Sequence, residues 1–427
     1  MIFENRLKNG IRVIGETMPS FSTVTLCVWI GAGSVYEREN EGGISHFIEH
    51  MMFKSTENRT AEQIAIDMDK IGGVLNAFTS KECTCYHVKV LRRDLKDAVA
   101  ILSDMLHNHL LADDEIETEK GVVCDEILMT EETNEDYIHE VLCQASYGDT
   151  PIARPVTGTC ESVESLNRDM LIDYMDRLYI NSNMLISCAG NIREDELMEI
   201  LNEYFTKPNT EGKNLDLPPC SMFTDTKEAV FVEKKTDQSL LAISLPGVKI
   251  EDPLHYALAA MNSVLGGSSS SRLFLDIREK HGLTYNVYSS PSSYRDTGYL
   301  TLYAGTKPSQ MRAVMERMAE VLRTFKKEGM TEEELTDAKR RFETSFLMSQ
   351  ESTAARAIAL GKPIVLRGRL TSHEEILAKI NGITMDDIHN AIETVLDFSR
   401  GRMILLGKME ADMDEHEVAK IYMDLAN

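Results

Sequence analysis

Ala112-Asp113-Asp114-Glu115-Ile116 in the first half of the chain and Gly329-Met330-Thr331-Glu332-Glu333-Glu334-Leu335 in the second carry the same signal. Each opens a helix on a run of carboxylates, which the positive end of the helix dipole favours. Each follows another helical stretch, 94–111 and Ser309–Glu328. Those in turn follow β-prone runs introduced by glycine: Gly72-Gly73 before 76–79 and 83–91, and Gly282 before 285–289 and 298–304. Further on, Asp169-Met170-Leu171-Ile172 with Met184-Leu185-Ile186 is echoed by Asp387-Ile388-His389 with Met403-Ile404-Leu405. A repeat of this length predicts two copies of one α+β domain. Each copy is expected to be an antiparallel sheet with helices packed mainly on one face. The stretch Lys207–Met222 holds three prolines and has no hydrophobic periodicity, so it reads as the connection. The expected division is 1–210, a linker at 211–224, and 225–427.

Composition narrows the function classes. With 45 Lys and Arg against 69 Asp and Glu, the formal charge is −24, which disfavours nucleic acid and anionic lipid as partners. The apolar share of 43% suffices for packed cores and excludes global disorder. All eight cysteines precede residue 221 and none forms a Cys-x-x-Cys pair. Without an apolar secretion signal at the start of the sequence, they read as reduced thiols, and a cytoplasmic location is expected. Thr17–Tyr36 is uncharged for twenty residues. Its Thr23-Val24-Thr25-Leu26 alternation has strand period, so no membrane-spanning helix is expected.

The chemistry concentrates in Gly42-Gly43-Ile44-Ser45-His46-Phe47-Ile48-Glu49-His50-Met51-Met52-Phe53. His46 and His50 stand one helical turn apart on one face, a spacing at which two imidazoles can share a tetrahedral metal. Glu49 leans over the same face and is placed to take a proton from a water at that metal. Imidazole ligands favour zinc, with cobalt and manganese as other candidates. The pattern is the inverted His-x-x-Glu-His signature. The surrounding Phe47, Ile48, Met51, Met52 and Phe53 imply burial, and buried imidazoles and carboxylates need partners. A third ligand is expected from the helix 113–132, where Glu115, Glu119 and Glu126 share a face. Spacing alone leaves Glu119 and Glu126 both open.

His46-Phe47-Ile48-Glu49-His50, followed by Glu119-Lys120-Gly121-Val122-Val123-Cys124-Asp125-Glu126-Ile127, resembles the insulinase (pitrilysin) family of zinc peptidases, M16, and its mitochondrial processing peptidase-like branch most closely. The likeness extends to Gly72-Gly73-Val74-Leu75-Asn76-Ala77-Phe78-Thr79, to Ser271-Arg272-Leu273-Phe274 and to Arg278-Glu279-Lys280-His281-Gly282-Leu283-Thr284-Tyr285. The resemblance implies His46, His50 and Glu126 as zinc ligands, Glu49 as general base and Glu119 as a carboxylate supporting the site. It implies that Asn76, Ala77 and Phe78 pair with the substrate backbone. Arg278 is implied to hold substrate carbonyls, and Tyr285 to stabilise the oxyanion.

The expected activity is zinc-dependent endopeptidase cleavage of short or unfolded peptides inside a chamber. The second copy has no His-x-x-Glu-His; its His255-Tyr256-Ala257-Leu258-Ala259 holds one histidine and no aspartate or glutamate. Larger relatives enclose a chamber with four such domains, so a homodimer is expected here, because this chain carries both the metal motif and the Arg/Tyr pair. The acidic charge suits extended, basic peptides. The alternative is a non-catalytic core-type or partner subunit of a larger complex. His107-Asn108-His109 is expected at a solvated helix end, and Cys83 with Cys85 in a sheet core.

Overall fold

The computed structural model describes residues 1–207 and 228–408, together with Val418, Lys420 and Ile421. The expected linker at 211–224 lies outside the described residues. The chain forms two compact α+β units. The first contains β1 (Ile2–Arg6), β2 (Arg12–Thr17), β3 (Thr23–Ile30), β4 (Val74–Thr79), β5 (Thr84–Leu91) and β6 (Met184–Gly190), in the order β1-β2-β6-β3-β5-β4. The second contains β7 (Glu228–Val232), β8 (Ser239–Pro246), β9 (Asn286–Ser293), β10 (Gly298–Thr306) and β11 (Arg402–Leu406), in the order β7-β11-β8-β10-β9. Without β1, the first order maps strand for strand onto the second, which is the repeat seen in the sequence.

Each sheet departs from the expected antiparallel pattern at one pair. β2 runs parallel to β6, and β7 parallel to β11. In both cases the later strand returns after a long helical excursion and is free to enter in either direction, unlike a strand joined by a tight hairpin.

β3 and β6 are apolar along almost their whole length because both faces of the sheet are covered. On one face Leu26, Val28, Ile30 and Val88 pack against helices that supply Phe47, Ile48, Leu102 and Leu178. On the other, Cys27, Trp29, Cys85 and Leu185 meet Ala357, Leu360 and Ile364. Those three belong to helix Thr353–Arg367, which comes from the second half of the chain. The second unit mirrors this arrangement. Helix Asn134–Tyr147, from the first half, lays Ile138 and Leu142 on Leu240, Ala242, Tyr303, Ile404 and Leu406. The expected division at 1–210 and 225–427 is therefore crossed. Met129–Ala153 belongs to the second unit and Phe346–Thr371 to the first. Apolar periodicity marks which face of a helix is buried, but it carries no record of which sheet receives it.

The received helix sits very close to its sheet. Trp29 Nε1 donates to Ser187 Oγ at 2.9 Å, and Ser187 Oγ donates to the Ala357 carbonyl at 2.7 Å. A Cβ on Gly361 would stand 2.1 Å from Trp29 Nε1. Gly361→Ala should therefore force the helix off the sheet and lower the unfolding free energy by about 1–3 kcal/mol. Gly121, also in a helix, has nothing within 4 Å of its Cβ position. Gly121→Ala should instead raise stability by about 0.5–1 kcal/mol through helix propensity. Urea unfolding midpoints of the two variants check the contrast.

Candidate metal centre

The motif occupies helix Ile44–Met51, buried on Ile44, Phe47, Ile48 and Met51. Gly43 starts the helix at φ +84°, where a Cβ would lie 2.4 Å from the Thr157 carbonyl, so the position requires glycine. Gly43 has no side chain to cap the helix, and Glu37 does so from upstream. Its Oε2 accepts from Gly43 N at 2.9 Å, and its Oε1 accepts from Ser45 N at 3.0 Å and Ser45 Oγ at 2.7 Å. Burial raises the Glu37 carboxyl to about 7, against the pull of those hydrogen bonds.

The acidic helix Asp113–Glu132 supplies the partners that burial demands. Its carboxylates at 115, 119 and 126 all reach the segment 46–55. Glu115 Oε1 accepts from Ser55 N at 3.1 Å and Ser55 Oγ at 2.6 Å. Glu119, 3% exposed, accepts from His50 Nδ1 at 2.8 Å through Oε1 and pairs with Lys54 through Oε2. Glu126 lies 3.8 Å from His46 Nε2 and 3.4 Å from His50 Nε2. Spacing left both carboxylates open, and the geometry sets them apart. Glu126 joins the two imidazoles, and Glu119 stands behind one of them.

One nitrogen or oxygen from each of His46, His50 and Glu126 falls within 4.8 Å of the others, the one such group of three among the described residues. Tetrahedral zinc with N and O ligands at about 2.0–2.2 Å needs ligand atoms roughly 3.3 Å apart. The two imidazole–Glu126 distances, to different carboxylate oxygens, are 3.4 and 3.8 Å, and the set of three would draw in slightly around an ion. The donor chemistry also fits. The hydrogen bond from His50 Nδ1 to Glu119 fixes the tautomer with a free lone pair on Nε2, the atom that faces Glu126. Burial, and then the neighbouring His50 charge, lowers His46 to about 4, which keeps it neutral and able to ligate at pH 7. Burial would lower His50 as well, but the hydrogen bond and charge of Glu119 outweigh it and the net shift is upward. His46 Nδ1 is buried without a hydrogen-bond partner among the described residues, so among them only His50 is braced from behind.

Glu49 shares the helix with both histidines. Burial raises its carboxyl, and its Oε2 accepts the Thr79 hydroxyl at 2.5 Å. Thr79 ends β4, whose outer side is a free edge among the described strands. Asn76, Ala77 and Phe78 lie on that strand. The Ala77 N–H donates to the Asn76 side chain at 2.8 Å rather than to the neighbouring strand.

Arg278 and Tyr285 belong to the second unit, where the guanidinium stacks 4.6 Å from the Phe274 ring centre and 4.9 Å from that of Tyr285. Tyr285 is 80% exposed. His107 and His109 depart from the expected solvated helix end. Burial lowers both to about 4, and they line a cavity with Tyr179 and Asn181. Sequence reading missed Thr79, Glu37 and Lys54. Thr79 alone left a signal, as a β-branched polar residue at the inward position of the strand.

The sequence profile described as Insulinase (Peptidase family M16) matches residues 12–160, and that described as Peptidase M16 inactive domain matches residues 165–342. An uncharacterized zinc protease of Bacillus subtilis is 38% identical over 91% of this chain and 94% of its own length. The chain belongs to peptidase family M16. Another M16 relative, an uncharacterized zinc protease of Streptomyces coelicolor, is 33% identical over 91% of this chain and 86% of that one. The M16 fold recurs in a protease from Helicobacter pylori, with TM-score 0.89 at 21% identity over 96% of this chain and 99% of that one. It recurs too in a peptidase M16 inactive domain from Pseudomonas fluorescens, with TM-score 0.88 at 18% identity over 96% and 98% of the two chains. At these identities the structural likeness speaks to the fold alone.

Two outcomes follow from the packing around the motif helix. Glu119→Gln should weaken zinc binding about 10–100-fold, measured by chelator competition, because His50 loses its charged brace. Glu37 titrates higher in the folded state than the 4.5 of an ordinary glutamate. The folded state therefore binds the proton more tightly, and this stability is present in full below pH 4.5 and is lost as pH rises through about 7. In urea unfolding, the stability of the wild type relative to Glu37→Gln should fall across that window by up to about 1.4 kcal/mol per pH unit.

Proposed function

We propose that this chain is a zinc metalloendopeptidase that cleaves short or unfolded peptides. One observation carries the reading. Two imidazoles and a carboxylate cluster together, and a half-buried glutamate on the same helix is held by the free-edge strand. Three protein ligands leave a tetrahedral metal one open position, whereas structural zinc sites are closed by four. Zinc bound by His46, His50 and Glu126 would supply Lewis acidity, polarising the scissile carbonyl and easing the deprotonation of water.

The rest is the work of the chain's own groups. Glu49 takes the proton of the attacking water on its carboxylate and returns it to the departing amine nitrogen. The raised proton affinity of this half-buried carboxyl suits both halves of that exchange. Asn76, Ala77 and Phe78 receive the substrate as an added strand at the open edge of β4. Reading the backbone rather than side chains tolerates varied sequences. The Ala77 N–H, which donates to the Asn76 side chain, would exchange that acceptor for a substrate carbonyl. Arg278 holds substrate carbonyls, and the Tyr285 hydroxyl stabilises the oxyanion. The stacking of Arg278 on Tyr285 supports their acting as a pair.

The motif resemblance supports the processing peptidase-like branch and a homodimer that closes a chamber around an extended peptide. The charge of −24 supports a preference for basic peptides. None of the described cysteines forms a disulfide, which supports a cytoplasmic location, and no helix among the described residues is long and apolar enough to cross a membrane. The alternative, a non-catalytic subunit, draws on the second half of the chain, which matches an inactive-domain profile and lacks the motif. It is the weaker reading, because the first half keeps the full ligand set and its base.

The test compares the wild type and Glu49→Gln on an unstructured fluorogenic peptide, with bound metal measured in both. Both should hold about one zinc per chain, and the variant should lose at least about 100-fold in kcat. Full zinc content with no cleavage of a broad peptide set by the wild type would favour the non-catalytic subunit instead.

A further inference from the structure

The two oxygens of Glu49 differ in their surroundings. Oε2 accepts the Thr79 hydroxyl at 2.5 Å, and Oε1 receives no hydrogen bond from any described residue. Thr79 has a single hydroxyl proton to give. The other hydroxyl near it, Thr84 Oγ1, lies at 3.4 Å and has its own acceptor in the Ala32 carbonyl at 3.0 Å. The Thr79 proton is therefore committed to Glu49.

The backbone holds Thr79 in that place. It pairs with Thr84 at the end of the β4–β5 ladder, and its branched side chain has few rotamers. Strand alternation puts Leu75 and Ala77 on the same face as Thr79, against the core that also contains Phe47 and Ile48 of the motif helix. Phe78 lies on the opposite face, its ring 5.8 Å from that of Trp29. The strand that presents the open edge is thus also the strand that touches the base.

We infer that Thr79 is a positioning residue. Its hydroxyl pins Oε2 of Glu49, so that Oε1 is the oxygen presented to the reacting water, and it couples the base to the strand that seats the substrate. The inference rests on the reading of Glu49 as general base. A glutamate side chain turns about three bonds, and without the pin its carboxylate is free to rotate. A displacement of about 1 Å at a reacting group can cost 100-fold in rate.

Thr79→Val keeps the shape and removes the hydroxyl, and Thr79→Ser keeps the hydroxyl. With the full chain, the expected result for Thr79→Val is a kcat about 10–100-fold below wild type with KM within about twofold. Two readouts do not involve turnover. Zinc affinity, by chelator competition, and the affinity of the zinc-free chain for the same peptide, by fluorescence anisotropy, should both stay within about twofold of wild type. Thr79→Ser should recover kcat to within about threefold of wild type. The inference is overturned if Thr79→Val turns over like the wild type, if Thr79→Ser is no better than Thr79→Val, or if Thr79→Val loses zinc or peptide affinity along with rate. These outcomes leave the peptidase reading intact. A wild-type chain that holds zinc and cleaves nothing removes that reading and this inference together.

Discussion

Two imidazoles, three carboxylates and an ammonium group are gathered between one short, mostly apolar helix and the acidic helix beside it. Taking such groups out of water is unfavourable unless each finds a partner. The motif helix is pinned in the core by Phe47, Ile48 and Met51, so its polar residues cannot escape to solvent. The acidic helix resolves the conflict. Glu115 holds Ser55, Glu119 holds His50 and Lys54, and Glu126 faces both Nε2 atoms. The clustering of Glu126 with the two imidazoles is in this sense a by-product of satisfying polar groups, and a metal would complete what the protein atoms leave unfinished.

The same economy links the centre to the sheet. Both repeats end their sheets on corresponding strands, β4 and β9, but the two edges differ. β9 contains Pro291, which removes an N–H from the strand and makes it a poorer template for pairing. β4 contains no proline, and its last residue holds Glu49. The two copies thus differ in the pairing capacity of the sheet edge as well as in the His-x-x-Glu-His motif. The first unit combines the cluster of His46, His50 and Glu126, the neighbouring Glu49 and a free-edge strand. The second retains the fold and presents an ordered arginine–tyrosine stack.

The crossing helices add a constraint that the repeat does not suggest. Helices 134–147 and 353–367 occupy similar places in their own halves, yet each completes the sheet of the unit built mainly from the other half. Neither sheet can cover both faces from its own contiguous stretch. The buried Trp29–Ser187–Ala357 chain of hydrogen bonds shows how specific the closure is. It lets a residue such as Gly361, far along the chain from the motif, carry a steric requirement set by Trp29.

The sequence by itself determined the repeat, the α+β class, the motif helix and the face shared by Glu115, Glu119 and Glu126. Each is written in local periodicity or in the spacing of chemically distinctive residues, and such signals survive without tertiary contacts. Tertiary structure decided which carboxylate meets the histidines, because Glu119 and Glu126 share one face and only the docking of two helices separates their roles. It also decided the parallel pairs, the crossing helices and the cavity-lining setting of His107 and His109. Thr79 shows the limit most clearly. Its inward position on the strand is legible in sequence, but its link to Glu49, thirty residues away, exists only because the sheet edge and the motif helix are folded against one core.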